Sequence, residues 1–177
     1  TKETFDYYDD LVINALDFDF MRYAKSPPYH LGIPEHEVTR TPDGHYRYTN
    51  HPNWGRQQPS QPTFTGKVFV IMDGGSFSTT CEFLSIAHYH RRAVFIGEQA
   101  GGGYYGNTSG YTRLLELPHT KVTLRLPFLK YVMAVHGYRY PRRGVMPSYP
   151  VRPTVADRLN NRDPEMETAL ALARKSK

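Results

Sequence analysis

Cysteine is almost missing from this chain. One residue, Cys81, stands among 177, so an internal disulfide is excluded and the redox compartment stays unread. Tryptophan is as scarce, with Trp54 alone. No apolar run approaches the roughly 20 residues of a membrane-spanning helix, so no membrane span is expected. Metal-ligand spacing is absent as well. There is no HExxH, His88 and His90 are two apart and would diverge on a helix, and His119 and His136 stand alone, so neither a metal nor another cofactor is expected. No signal-peptide pattern is visible. The chain opens at Thr1 without Met and is expected to be a piece of a longer protein, so its start says nothing of compartment.

What is present is a domain-sized chain with 14 Tyr and 9 Phe and a formal charge of +5. The charge is uneven. Acids dominate the first 20 residues, whereas residues 121 to 158 carry eight Lys and Arg against Asp157. Such an excess can hold nucleic acid or a carboxylate. These basic residues alternate with apolar ones along apparent strands, however, so a solvated strand face is the expectation, with no nucleic-acid partner.

The most informative stretch is Lys67 to Glu98, KVFVIMDGGSFSTTCEFLSIAHYHRRAVFIGE. Val68 to Met72 and Ala93 to Ile96 are short apolar runs suited to buried strands. Between them lie a Gly74-Gly75 turn and a helical segment with Cys81, Leu84 and Ala87 at helical spacing. Strand, turn, helix, strand is the pattern of a parallel β/α unit, whose chemistry gathers at the C-terminal ends of its strands. Ser78 falls where the helix should begin. Its common role there is to cap free backbone N–H groups. Its sharper role is that of an exposed nucleophile on a tight turn, beside the positive end of a helix. Spacing leaves both open, and nothing local supplies a base.

Before this stretch, residues 5 to 25 predict a helix followed by a less regular piece, with Leu11, Ala15 and Phe18 on one face, stopped by Ser26-Pro27-Pro28. Thr41-Pro42-Asp43-Gly44 is a turn, and Val38 to Arg40 with Tyr46 to Tyr48 predict a hairpin around it. Residues 50 to 65 are a Pro- and Gln-rich loop, with Trp54 as an anchor. After the stretch, five glycines crowd residues 100 to 111. The loop lacks the Lys and Ser/Thr of a phosphate-binding P-loop, and no clear helix follows. It is expected to border a cleft, offering Gly101, Gly102, Gly103, Tyr104 and Tyr105 to a bound chain. Leu114 to Leu117, Lys121 to Leu126 and Tyr131 to Val135 predict strands. Residues 141 to 153 cannot be a helix. Asp163-Pro164 starts the last one, with an apolar stripe of Met166, Ala169, Leu170 and Ala173.

Together these stretches resemble the C-terminal-processing (tail-specific) serine peptidases, serine peptidase family 41, and within it the tricorn-core-like branch. The match runs from near Gly66 to the end. It rests on Asp73-Gly74-Gly75-Ser76-Phe77-Ser78-Thr79, on Gly97-Glu98 with Gly101-Gly102-Gly103, on Gly144-Val145-Met146-Pro147 and on Asp163-Pro164. The resemblance implies an α/β domain with a ClpP/crotonase-like fold. Residues 1–65 would form a helix, hairpin and loop region, and residues 66–177 the peptidase core. It implies a serine endopeptidase acting through an acyl-enzyme on Ser78, the Thr79 N–H giving half of the oxyanion hole, on a polypeptide substrate. The chain departs from the family at its bases: Gly103 stands where one branch has a Lys, and Tyr140 to Arg143 offer no acid where the tricorn-like branch has a Glu. The family's histidine would lie upstream of Thr1, in a missing N-terminal part. The other reading is a non-catalytic module binding a hydrophobic ligand or a peptide, as retinoid-binding relatives do. A homo-oligomer stays open, and resemblance alone points to the periplasm or cell envelope.

Overall fold

The computed structural model describes residues 4–13, 35–42, 46–108 and 111–175. In chain order the elements are β1 (Phe5–Asp6), β2 (Tyr8–Ile13), a 3-10 turn (Glu35–Glu37), β3 (Val38–Arg40), β4 (Tyr46–Tyr48), β5 (Arg56–Gln57), β6 (Phe69–Met72), α1 (Thr79–Tyr89), β7 (Val94–Gly97), β8 (Gly106–Asn107), β9 (Thr112–Glu116), β10 (Thr123–Pro127), β11 (Leu129–Met133), β12 (Tyr149–Pro150), α2 (Val155–Leu159) and α3 (Pro164–Arg174). The chain divides into two compact units. One holds residues 58–105 and 135–177 with the first five; the other holds residues 6–57 and 106–134. The segment 106–134, expected to lie in the 66–177 part, therefore clusters with the earlier residues.

In the first unit β12, β7 and β6 form a parallel sheet in that order. Phe69 pairs with Val94 and Met72 with Gly97, so the runs read as buried strands are neighbours joined through α1. A parallel pair needs a crossover, and α1 supplies it. Phe95 and Ile96 on β7 and Leu84 on α1 are essentially inaccessible, and they form the core with Met72 and Val145. Helix α3 packs on β6 and β7. Its start is as expected: the Asp163 carboxylate accepts from the Met166 N–H at 2.9 Å, and Pro164 takes the first turn. The buried face is rotated from the expected stripe. Glu165 and Ala169 are buried, while Met166 and Leu170 are exposed. Those residues share a helical face, but it is not the face that the sheet covers.

The second unit is built on a five-stranded sheet, ordered β3-β4-β2-β11-β8. The hairpin of β3 and β4 pairs antiparallel, Val38 opposite Tyr48, as the residues around the Pro-Asp-Gly turn predict. The helix expected over residues 5 to 25 is not formed at its start, because Tyr8–Ile13 is a strand. Leu11 and Ile13 alternate into the core at 0% and 1% exposure, and period-two burial suits a strand. Asp10, within the expected helix, instead takes the Arg47 side chain of β4 at 2.7 and 2.9 Å. Cross-strand pairing has overridden local helix preference. Residues 14–25 and the Ser26-Pro27-Pro28 stop lie outside the described residues, as do Asp43 and Gly44 of the turn. Trp54 is half-buried and bridges Tyr8 through its backbone. Tyr8, Tyr48, His51 and Tyr131 pack edge-on or tilted against one another. Burial and the neighbouring Tyr111 push the Tyr48 phenol up to about 12.

Strands β9 and β10 form an antiparallel hairpin with Leu115 opposite Leu124. The alternation of the sequence is there, but Leu114, Val122 and Leu124 are exposed and Leu115 is buried. The basic residues between 121 and 158 are exposed, in keeping with a solvated face. No helix among the described residues is long and apolar enough to cross a membrane.

The rotated face of α3 sets a measurable contrast. Truncating Leu84, which is 1% exposed, is expected to cost about 3 kcal/mol in urea unfolding, whereas Leu170→Ala, at 48% exposure, should stay within about 0.5 kcal/mol.

Candidate active site

Strand β6 ends at Met72, and the chain reverses through Asp73, Gly74 and Gly75. The turn is tied from within. The Asp73 carboxylate accepts from the Gly75 N–H at 2.9 Å, and the Asp73 carbonyl accepts from the Ser76 N–H at 3.1 Å. Ser76 is buried, and its Oγ accepts from the Asp73 N–H at 3.4 Å. Of the two serines in Ser76-Phe77-Ser78, then, the first serves the turn.

Ser78 stands at the boundary between turn and helix with φ 52 and ψ −132. A side chain in the left-handed region is strained, and strain of this kind collects at functional sites. Its hydroxyl makes no cap hydrogen bond to α1. The common role that spacing gave it is therefore not the one it plays. The residue is exposed at the end of a strand, where the first amides of α1 converge. Thr79, the first helical residue, contributes one of those amides and is likewise exposed.

The glycine-rich loop lies directly against this turn. The Ser76 carbonyl accepts from the Gly102 N–H at 3.0 Å. At Gly101 a side chain could not fit, because a Cβ there would come within 2.2 Å of the Gly74 carbonyl oxygen and 2.6 Å of the Phe77 ring. The loop's other flank is held by the segment 143–145. The Ala100 N–H donates to the Val145 carbonyl at 3.0 Å and the Tyr104 N–H to that of Arg143 at 3.1 Å. A Cβ on Gly144 would stand 2.2 Å from the Ala100 carbonyl oxygen. Three blocks that are far apart in sequence thus meet: the Ser78 turn, the loop 101–103 and Gly144-Val145.

Tyr104 sits differently from the expectation of a side chain offered to a bound chain beside the turn. It is 2% exposed and its ring stacks on Tyr138 at 3.8 Å. Its hydroxyl is 3.0 Å from Nδ1 of His88. Gly101 and Gly103 are exposed beside the turn. Two contributors were not singled out from the sequence. Cys81, one turn into α1, donates its thiol to the Ser76 carbonyl at 2.8 Å, and burial pushes that thiol's pKa up. Glu165 is buried at the start of α3, against Gly97. Nothing in the sequence around Cys81 or Glu165 marks either as part of the site. Among the described residues no group of three or more His, Cys, Asp and Glu side chains is placed to hold a metal.

Burial is the main cause that raises the Glu165 carboxyl, with Asp163, Asp73 and Glu98 adding to it and Arg158 opposing it. Between the ordinary glutamate value and this raised one, the folded chain binds a proton that the unfolded chain releases. This residue's contribution to stability therefore falls as pH rises through that window. Glu165→Gln should gain stability relative to the parent between about pH 4 and pH 7 in urea unfolding, and an unchanged difference would contradict the assignment. At the loop, Gly101→Ala is expected to destabilise by roughly 2 kcal/mol and to displace the Ser78 turn, read as lost hydrogen-exchange protection at Gly102.

A model of Peptidase family S41 matches residues 30–151, more than half of the chain. Thirteen chains of solved structures are similar to it. One is a crystal structure from Parabacteroides merdae, of a protein described provisionally as a peptidase. The two share 19% identity at a TM-score of 0.55, over 98% of this chain and 44% of that one, so this chain spans under half the length of that neighbour. At such identity the likeness speaks for the fold, and it agrees with the α/β class. No protein with a curated description matches the chain. With the turn, the glycine-rich loop and the Gly-Val block brought together as described, the matched segment fixes the assignment: the chain belongs to Peptidase family S41.

Proposed function

We propose that this chain carries the nucleophile of a serine endopeptidase. Ser78 attacks a peptide carbonyl, and the Thr79 N–H donates to the oxyanion that forms. The observation that carries the reading is the backbone of Ser78: a non-glycine residue at φ 52 whose hydroxyl leaves the helix uncapped. That geometry holds the side chain at the surface of a strand-turn-helix junction, as a nucleophile needs. The positive end of α1 favours the charge that develops on the substrate oxygen.

In the first step the Ser78 hydroxyl gives its proton to a base as Oγ bonds to the carbonyl carbon. The C–N bond then breaks, the amine leaves with the proton, and water hydrolyses the acyl-enzyme. The base belongs, in this reading, to a part of the protein upstream of Thr1. The substrate is an extended polypeptide, recognised through its backbone, as in the tail-specific relatives that the chain resembles. Gly102 has given its amide to Ser76, and in this reading the exposed Gly101 and Gly103 offer theirs to such a chain.

The test is intact mass after treating the full-length protein with a fluorophosphonate, beside Ser78→Ala. A single adduct on the parent and none on the variant is expected, together with a loss of peptidase turnover on the order of a million-fold. A folded parent that takes up no reagent between about pH 5 and pH 9 overturns the reading.

A further inference from the structure

Far from Ser78, at the other end of α1, a cavity of about 560 Å³ opens. The helix is 11 residues long, which puts roughly 16 Å between the two ends. The wall is made by His88, Tyr89 and Arg91 where the helix stops, by Tyr104, and by the stretch His136 to Tyr140. We propose that this cavity binds a small aromatic anion, its carboxylate or phosphate group held by Arg91 and Arg139 and its ring laid against the tyrosine and histidine rings of the wall.

The lining chemistry is one-sided. Two arginines, Arg91 and Arg139, line the cavity, and no Asp or Glu does. The rest is ring surface. Tyr104 and Tyr138 stack at 3.8 Å, Tyr138 meets Tyr140 edge-on at 5.7 Å, and Tyr89 meets His136 edge-on at 6.1 Å. The Arg139 guanidinium lies 5.5 Å from the Tyr140 ring centre, so charge and ring are already paired at the rim. The volume is that of a small-ligand site. The polar pair at the back is uncharged: burial pushes the His88 pKa down and the Tyr104 phenol up, while the two share a 3.0 Å hydrogen bond.

A helix C-terminus ordinarily repels an anion. Here three of its last carbonyls are occupied. The His90 N–H donates to Ile86, that of Arg91 to His88 and that of Arg92 to Ala87, at 3.0, 3.0 and 2.8 Å. The last two bonds make a Schellman cap, with Arg91 in the left-handed position at φ 50. Glycine suits that position better than any other residue. An arginine there gives up stability yet stands in the cavity wall, the kind of strain that accompanies function.

The same residue gives a clean test. The whole chain is titrated by calorimetry with phenyl phosphate and with benzoate, beside benzyl alcohol, which keeps the ring alone, and inorganic phosphate, which keeps the charge alone. Binding of at least one aromatic anion below about 1 mM is expected, with both controls about tenfold weaker or more. Whichever anion binds more tightly identifies the head group. Arg91→Gly should weaken binding about tenfold while its thermal midpoint holds or rises, and Arg139→Ala should weaken it likewise. No heat from either anion at about 10 mM, benzyl alcohol binding as tightly as the anions, or undiminished affinity in both variants overturns the proposal.

Discussion

The candidate site turns on one oxygen. The Ser76 carbonyl receives the Gly102 amide and the Cys81 thiol together, so a strand-end turn, a helix and a loop are all referred to the same atom. Each bond is worth about 1 kcal/mol net, which is modest. Their value lies in position. The loop can approach only because Gly101 has no Cβ, and it is backed by Gly144, which lacks one for the same reason. The lone cysteine finds its explanation here, as a buried donor that fastens α1 to the turn it follows. Ser76, two residues before the strained Ser78, ties the turn through both its hydroxyl and its amide.

Around that atom the first unit is held by unlike means at the two ends of α1. At the start of the helix the contacts are backbone to backbone and demand glycine. At its end they are ring to ring: His88 is packed by Phe95, Tyr104 and Tyr138, and the Tyr138 hydroxyl also serves the backbone, donating to Gly144 and accepting from Met146. Tyr104 links the two ends, since it is the residue with which the glycine-rich loop finishes. A displacement of that loop would therefore be felt in the aromatic packing, and Gly144 carries the same connection from the opposite side.

The sequence made the parallel unit legible because its signals are local: two β-branched runs, a Gly-Gly turn and helical spacing after Ser78. The Asp163 cap and the β3–β4 hairpin were readable for the same reason. Tyr8–Ile13 was not, because its identity as a strand depends on Leu129 to Met133 and on Arg47, partners that no local window contains. The face of α3 was misjudged where Met166 and Leu170 form a plausible apolar stripe that the sheet does not cover. At the site, Ser78 could be singled out, but that it makes no cap hydrogen bond to α1 could be seen only in the folded backbone. Tyr104 looked available beside three glycines, and only packing reveals that its ring is committed to Tyr138.

The pairing of β2 with β11 has a consequence for how the protein comes to be. Ile13 sits opposite Leu129, so the central pair of the second unit joins residues more than a hundred apart in the chain. Half of the first unit, residues 58–105, lies between them. During synthesis β2, β3 and β4 can pair with one another, but the five-stranded sheet cannot close until the chain has passed residue 133. Loop closure over that distance must precede any reward from the contacts, which makes for slow folding. The order of assembly is therefore written into the connectivity: β6, α1 and β7 have local partners and can gather first, while the edge of β2 that takes β11 waits for the far side of the chain.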